Sequence, residues 1–151
     1  VAGEGPLRGE LETEVARRGI EDRVRILGSR ADVGDLLAAS DVVILASATE
    51  GMPGCLIEAG MAGIAAAAYA VGAAAEVVHS GTTGLVVAPG DQDALTRAVL
   101  ALLRDDGLRD AMGKAARARC LERFDTRHIA LRYVDLYRQL AAGAPEAREN
   151  R

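Results

Sequence analysis

Glu50 and Glu58 stand eight residues apart and enclose Gly51, Met52, Pro53, Gly54, Cys55 and Leu56. A carboxylate accepts hydrogen bonds from sugar hydroxyls, so two of them in one short stretch are candidates for binding a polyol. Glycines between them leave the backbone bare, which lets a ligand approach without meeting a Cβ. If the stretch runs into a helix, its first amide N–H groups and the positive end of the helix dipole form a site for a phosphate anion. Glu58 then lies about one turn inside, at ~1.5 Å of rise per residue, where an acid can accept from a ribose diol. Glu50, across the loop, accepts from hydroxyls of whatever the phosphates carry. The order acid, amides, acid matches sugar, diphosphate, ribose: a nucleotide sugar.

Competing readings of the same residues are weaker. Exposed glutamates beside a loop are often only solvated side chains, a bland alternative that the surrounding sequence must overcome. A glycosidase acid/base pair would want an aromatic sugar platform, and the stretch has none. Gly3 and Gly5 begin an imitation of a dinucleotide fingerprint, but Arg8 holds the third glycine's place. His79 and His128 have no partners at metal or triad spacing and read as surface residues, and no metal site is expected. Tyr133 and Tyr137, four apart, read as helix packing. Glu76 has two open readings, a contact near the donor site or a purely structural place.

Composition limits what these residues can serve. A chain of 151 residues suits one domain, and half hydrophobic with about a quarter charged is globular. A net charge of −4 supplies no basic field for a polyphosphate backbone, so nucleic acid is not an expected partner. Cys55 and Cys120 lack CxxC or metal-ligand spacing and read as reduced thiols of a cytosolic protein. No signal peptide or membrane span is visible; the alanine-rich run from Gly63 to Val78 is broken by Gly72 and charged at Glu76. Lys114 is the one lysine among 18 basic residues, a bias that together with abundant alanine points to a GC-rich bacterial genome. Val1 is not methionine, and the first ten residues read as a strand exit, a glycine turn and a helix opened by Pro6, so a fragment is expected.

The elements that must position the two acids follow from periodicity. Leu7, Leu11 and Val15 mark a helix stopped at Gly19. Parallel strands are expected near Val24–Leu27, Val42–Ala46, Ile64–Ala68 and Leu85–Val87, with short helices over residues 31–40 and 72–81 and the helix carrying Glu58 after the second strand. From Asp91 the pattern is helical, with Asp91 and Asp125 as N-caps. The fold class is α/β, a Rossmann-like parallel sheet flanked by helices with a helical C-terminal end. The domain is expected over residues 1–140, with a disordered tail over 141–151.

The run EGMPGCLIEAGMAG, continuing into IAAAAYAVGAAAEVV, resembles the E-x7-E signature of retaining, GT-B-fold glycosyltransferases of the group 1 (family 4) type. VAGEGPLR, DRVRILG, LLAASDVVILAS, GTTGLVVAPGDQDALTRAV and RFDTRHIALRYVDLYRQL resemble the other blocks of that family in the same order. The resemblance implies the C-terminal, donor-binding domain of a hexosyltransferase-type enzyme. Glu50 would contact the donor sugar as the catalytic-site acid, Glu58 the ribose, and Gly51, Met52, Pro53, Gly54, Cys55 and Leu56 the sugar and phosphates. The substrate would be a nucleotide-diphosphate sugar and the acceptor a sugar or lipid-linked hydroxyl, with no cofactor and no metal. Implied partners are the missing N-terminal GT-B domain and, through it, the inner face of the membrane; the location is otherwise cytoplasmic. The isolated chain is expected to be inactive. The alternative is a non-catalytic nucleotide-sugar-binding or interaction module derived from that fold. Three residues depart from the family's pattern: Ala65 stands for proline, Gly60 for a methionine-like residue at a cost of about 1 kcal/mol relative to alanine, and Ala73 for a glycine. A positive φ at Ala73 would add about 1 kcal/mol of strain, and its methyl would crowd the sugar.

Overall fold

The computed structural model describes residues 1–143, which fall into two compact units, Val1–Leu36 and Leu37 onward. In the first, α1 (Arg8–Arg18) turns its one buried residue, Val15, inward. It ends at Gly19, whose φ of 62° is the left-handed geometry that glycine adopts without steric cost. The strand expected at Val24–Leu27 is not formed. The Leu27 N–H donates to the Val1 carbonyl at 2.8 Å, the Val1 ammonium to the Arg25 carbonyl at 2.6 Å, and the Gly3 N–H to the Gly28 carbonyl at 2.8 Å. These bonds bracket Val1 with parallel-ladder spacing but do not continue as a regular ladder beyond it, and an apolar run becomes a strand only where a neighbour repeats the ladder.

α2 (Val33–Ala38) leads into the second unit. There β1 (Val42–Leu45), α3 (Gly54–Ala62), β2 (Ala65–Tyr69), α4 (Ala74–Val77) and β3 (Gly84–Val87) alternate before α5 (Gln92–Arg104), α6 (Asp106–Phe124) and α7 (Thr126–Gly143). The strands run parallel in the order β1-β2-β3, with Val42 opposite Ala65 and Ala66 opposite Gly84. Three of the four expected strands are present, each within a residue or so of its expected bounds.

β2, whose small residues make a weak strand signal, is the central strand of this sheet and is buried along its whole length. Side chains alternate across it. Ala66 and Ala68 join Leu45, Leu56, Val77 and Cys120 on one face, while Ala65, Ala67 and Tyr69 join Leu95, Leu102 and Met112 on the other. α3 crosses α6 closely because both present small residues: a Cβ on Gly60 would meet the Cys120 sulfur, and one on Gly113 would meet the Gly63 carbonyl. The Gly60 reading is thereby corrected. Alanine there would collide, whatever it gains in helix propensity.

Helix caps follow the sequence. The Asp91 carboxylate accepts from the Ala94 N–H at 2.8 Å, and Asp125 from the Arg127 N–H at 2.8 Å. Asp105 caps α6 in the same way through the Leu108 N–H. α7 carries exposed apolar residues, Leu131, Tyr133, Val134, Leu136, Tyr137 and Leu140. Its helix includes residues 141–143, where a tail was expected; residues 144–151 lie outside the described residues. No helix among the described residues is long and apolar enough to cross a membrane.

Candidate functional site

The loop between β1 and α3 carries Glu50 at the carboxyl end of a parallel strand, where open α/β sheets bind ligands. Pro53 is the N-cap residue of α3 and its side chain is among the most deeply buried. Its carbonyl accepts from the Leu56 and Ile57 N–H groups at 3.1 and 3.4 Å, which starts the helix. Gly54 and Cys55 therefore supply the first helical amides, those with no carbonyl four residues back within the helix. Both residues are exposed, as are Gly51 and Met52.

This geometry divides the expected binding residues. Gly51, Met52, Gly54 and Cys55 lie at the surface of the loop and helix start. Pro53 has no N–H to donate. Leu56, 1% exposed, places its side chain in the core and its N–H on Pro53. Those two residues shape the loop from beneath. Glu58 is exposed one turn into α3, and Glu50 is half-buried on the loop's other flank.

The two carboxylates meet electrostatically at Cys55. Desolvation pushes its thiol above the ordinary range, the Glu50 charge adds to this, and Glu58 adds a smaller push; the N–H groups of Leu56 and Cys55 act the other way. Acid, helix-start amides and acid thus share one neighbourhood.

A third segment braces the loop. Gly72 lies against it so closely that a Cβ there would overlap the Glu50 carbonyl oxygen and stand 2.5 Å from that of Gly51. The next residue, Ala73, donates its N–H to the Gly51 carbonyl at 2.8 Å. Gly72 has φ 51°, whereas Ala73 has φ −89° and ψ 18°. The positive φ is therefore on the glycine one residue earlier, and the strain that a positive φ would have cost Ala73 does not arise.

Arg119 holds the end of α4, its guanidinium donating to the Glu76 carbonyl at 2.5 Å and the Val77 carbonyl at 3.2 Å. Spacing gave no sign of this contact, which joins residues 43 apart. The Glu76 side chain is exposed. His79 and His128 are both exposed, and among the described residues no group of three or more His, Cys, Asp or Glu could hold a metal ion. Tyr133 and Tyr137 pack with ring centroids 6.2 Å apart.

The family model for glycosyl transferases group 1 matches residues 1–119. This chain belongs to the group 1 glycosyltransferases. Among the relatives of this glycosyltransferase chain, N-acetyl-alpha-D-glucosaminyl L-malate synthase of Bacillus anthracis is 34% identical over 137 residues, 91% of this chain and 36% of that protein. The 2-deoxystreptamine glucosyltransferase of Streptomyces kanamyceticus is 33% identical over 132 residues, 86% of this chain and 34% of its own length. The chain thus spans about a third of the curated relatives it matches. Solved GT-B neighbours include Anabaena Alr3699/HepE in complex with UDP, with TM-score 0.86 and 28% identity over 92% of this chain and 40% of that one. The sucrose-phosphate synthase from Thermosynechococcus elongatus superposes with TM-score 0.84 and 31% identity, covering 94% of this chain and 38% of that one. The α/β class read from the alternating pattern is the class observed, and the GT-B fold that the motif resemblance implied is the fold of these solved neighbours.

Proposed function

We propose that this chain is the donor-binding part of a retaining, family 4 type hexosyltransferase that moves a sugar from a nucleoside diphosphate to an acceptor hydroxyl. The observation that carries the reading is the loop and helix start after β1, which present half-buried Glu50, the exposed first amides of α3 at Gly54 and Cys55, and exposed Glu58 one turn on. It is supported by the structural neighbour from Anabaena, described in complexes with UDP and with UDP-glucose.

On this reading Glu58 accepts from the ribose diol and Glu50 from hydroxyls of the donor sugar. The diphosphate lies over Gly51 and the amides of Gly54 and Cys55. No lysine or arginine stands between Thr49 and Gly63, so the charge there is met by backbone dipoles. Those dipoles are fixed before the reaction and need no reorganisation as the leaving diphosphate gains charge. The sugar carbon becomes oxocarbenium-like, and the acceptor attacks from the face the diphosphate leaves. No step in this scheme is assigned to a metal. The acceptor site on this reading belongs to the rest of the enzyme, so the isolated chain transfers no sugar. Holding donor and acceptor in line supplies about 7–11 kcal/mol of barrier lowering, which one side of a cleft does not provide.

Titration calorimetry with UDP and UDP-glucose as probes tests the assignment. Glu58→Ala should weaken both ligands by about 1.5–3 kcal/mol, the range for hydrogen bonds to a charged group, whereas Glu50→Ala should weaken UDP-glucose alone. Equal losses for both ligands in both variants would refute the division.

A further inference from the structure

The loop from Ala46 to Pro53 has no regular secondary structure, yet it carries the acid assigned to the sugar. Something must hold it in one conformation, because an irregular loop otherwise spreads over several. We infer that the Gly72–Ala73 turn is the positioning element for Glu50 and, through it, for the sugar end of the donor; this rests on the donor-site reading above.

The turn grips both peptide units that follow Glu50. Ala73 N–H holds the Gly51 carbonyl at 2.8 Å, and the bare Cα of Gly72 lies against the Glu50 carbonyl. Fixing these two carbonyls fixes the planes of the 50–51 and 51–52 peptides, since each peptide unit is rigid. The Cα of Glu50 lies in the first of those planes, so the point from which its side chain leaves the loop is fixed. The grip is anchored in the core. Val71 and Ala74, on either side of the turn, are both buried, the Ala74 N–H donates to the Val71 carbonyl at 3.0 Å, and β2 ends just before them at Tyr69.

Glycine at position 72 meets two demands together. It takes a φ of 51°, and it has no Cβ to push Glu50 and Gly51 away. Asparagine tolerates left-handed geometry but carries a Cβ, so it separates the two demands. Gly72 touches no substrate on this account; it acts through Glu50.

A double-mutant cycle in the full-length protein reads this directly, with UDP and UDP-glucose as the probes. Gly72→Ala and Gly72→Asn should both leave UDP affinity within about twofold and weaken UDP-glucose about tenfold, the scale of one charge-assisted hydrogen bond lost. In a Glu50→Gln background either substitution should add almost nothing, because the group it positions is already disabled. Ala73→Pro removes the N–H and sets its ring carbon against the Gly51 carbonyl, so it breaks the same grip from the neighbouring residue and should give the same selective loss. Rescue by asparagine, additive losses, or equal weakening of UDP and UDP-glucose would overturn the inference, as would unfolding of all three variants, since the turn would then serve the fold alone. A wild-type protein that binds neither probe would instead refute the donor-site reading itself.

Discussion

The sulfur of Cys120 on α6 occupies the space that a side chain at Gly60 on α3 would need. Both residues are buried, and Cys120 also packs in the cluster with Leu56 and Val77. Gly60→Ala should therefore destabilise the fold, since overpacking costs about 1–3 kcal/mol and outweighs the gain of about 1 kcal/mol in helix propensity. With Cys120→Ala in place the sulfur is gone and only the Cβ of residue 120, at 3.3 Å, still crowds the site, so the same substitution should cost markedly less. Urea titrations of the four proteins in this cycle check the difference; an equal effect of Gly60→Ala in both backgrounds would contradict it.

Cys55 should be a slow thiol despite its place at a helix start. Desolvation and the charges of Glu50 and Glu58 hold it protonated, and only the thiolate is alkylated. Iodoacetamide at pH 8 should react more slowly than with an unfolded peptide of the same sequence. Glu50→Gln should accelerate it more than Glu58→Gln. The sign for stability follows: a thiol whose pKa is raised on folding contributes nothing adverse below its unfolded value, and stability is lost as pH rises through the folded value.

Glu14 accepts from both Arg17 and Arg18, at 2.7 and 2.5 Å, and its carboxyl is held down to about 2. A depressed carboxyl contributes stability above its unfolded value that is lost as pH falls toward the folded one. Carbon NMR titration should find the Glu14 midpoint well below that of the same residue in an unfolded peptide of this sequence. Because the carboxyl is exposed, molar salt should bring the midpoint back toward the ordinary range. A midpoint unaffected by removing both arginines would exclude them as its cause.

Asp91 and Asp105 each cap a long helix through one backbone N–H, at 2.8 Å in both cases. Replacing either by alanine should lower stability by about 1 kcal/mol, and replacement by asparagine far less. Thermal melts of the single variants and the pair would measure it; the two sites share no hydrogen-bond partner, so their losses should add.

Much of this was legible from residue types. Alternating apolar runs and glycine stops marked α1, β1 and β3, and the acid-glycine-acid spacing marked the loop and helix start after β1 as a candidate site, because periodicity and turn chemistry are local. Tertiary partners were not legible. Val24–Leu27 has the composition of a strand, yet only a repeated neighbour makes one. Gly60 looked like a helix defect until Cys120 was seen beside it, 60 residues later in the chain. Leu56 fell within the binding stretch by position, and its burial against the sheet removes its side chain from the surface. Whether Ala73 needs a positive φ was open in the sequence; the left-handed residue is Gly72, one earlier, which a pattern of small residues does not resolve.

β2 is built from four alanines and a tyrosine, all buried, at the centre of the three-stranded sheet. Such a strand removes little hydrocarbon from water when it folds, although it removes its whole backbone. Apolar exposure on unfolding raises heat capacity and polar exposure lowers it, so this composition depresses the increment below the usual ~12–15 cal/mol/K per residue. The central strand therefore adds little to the curvature of the stability curve with temperature, which is carried by the leucines and valines packed against its two faces.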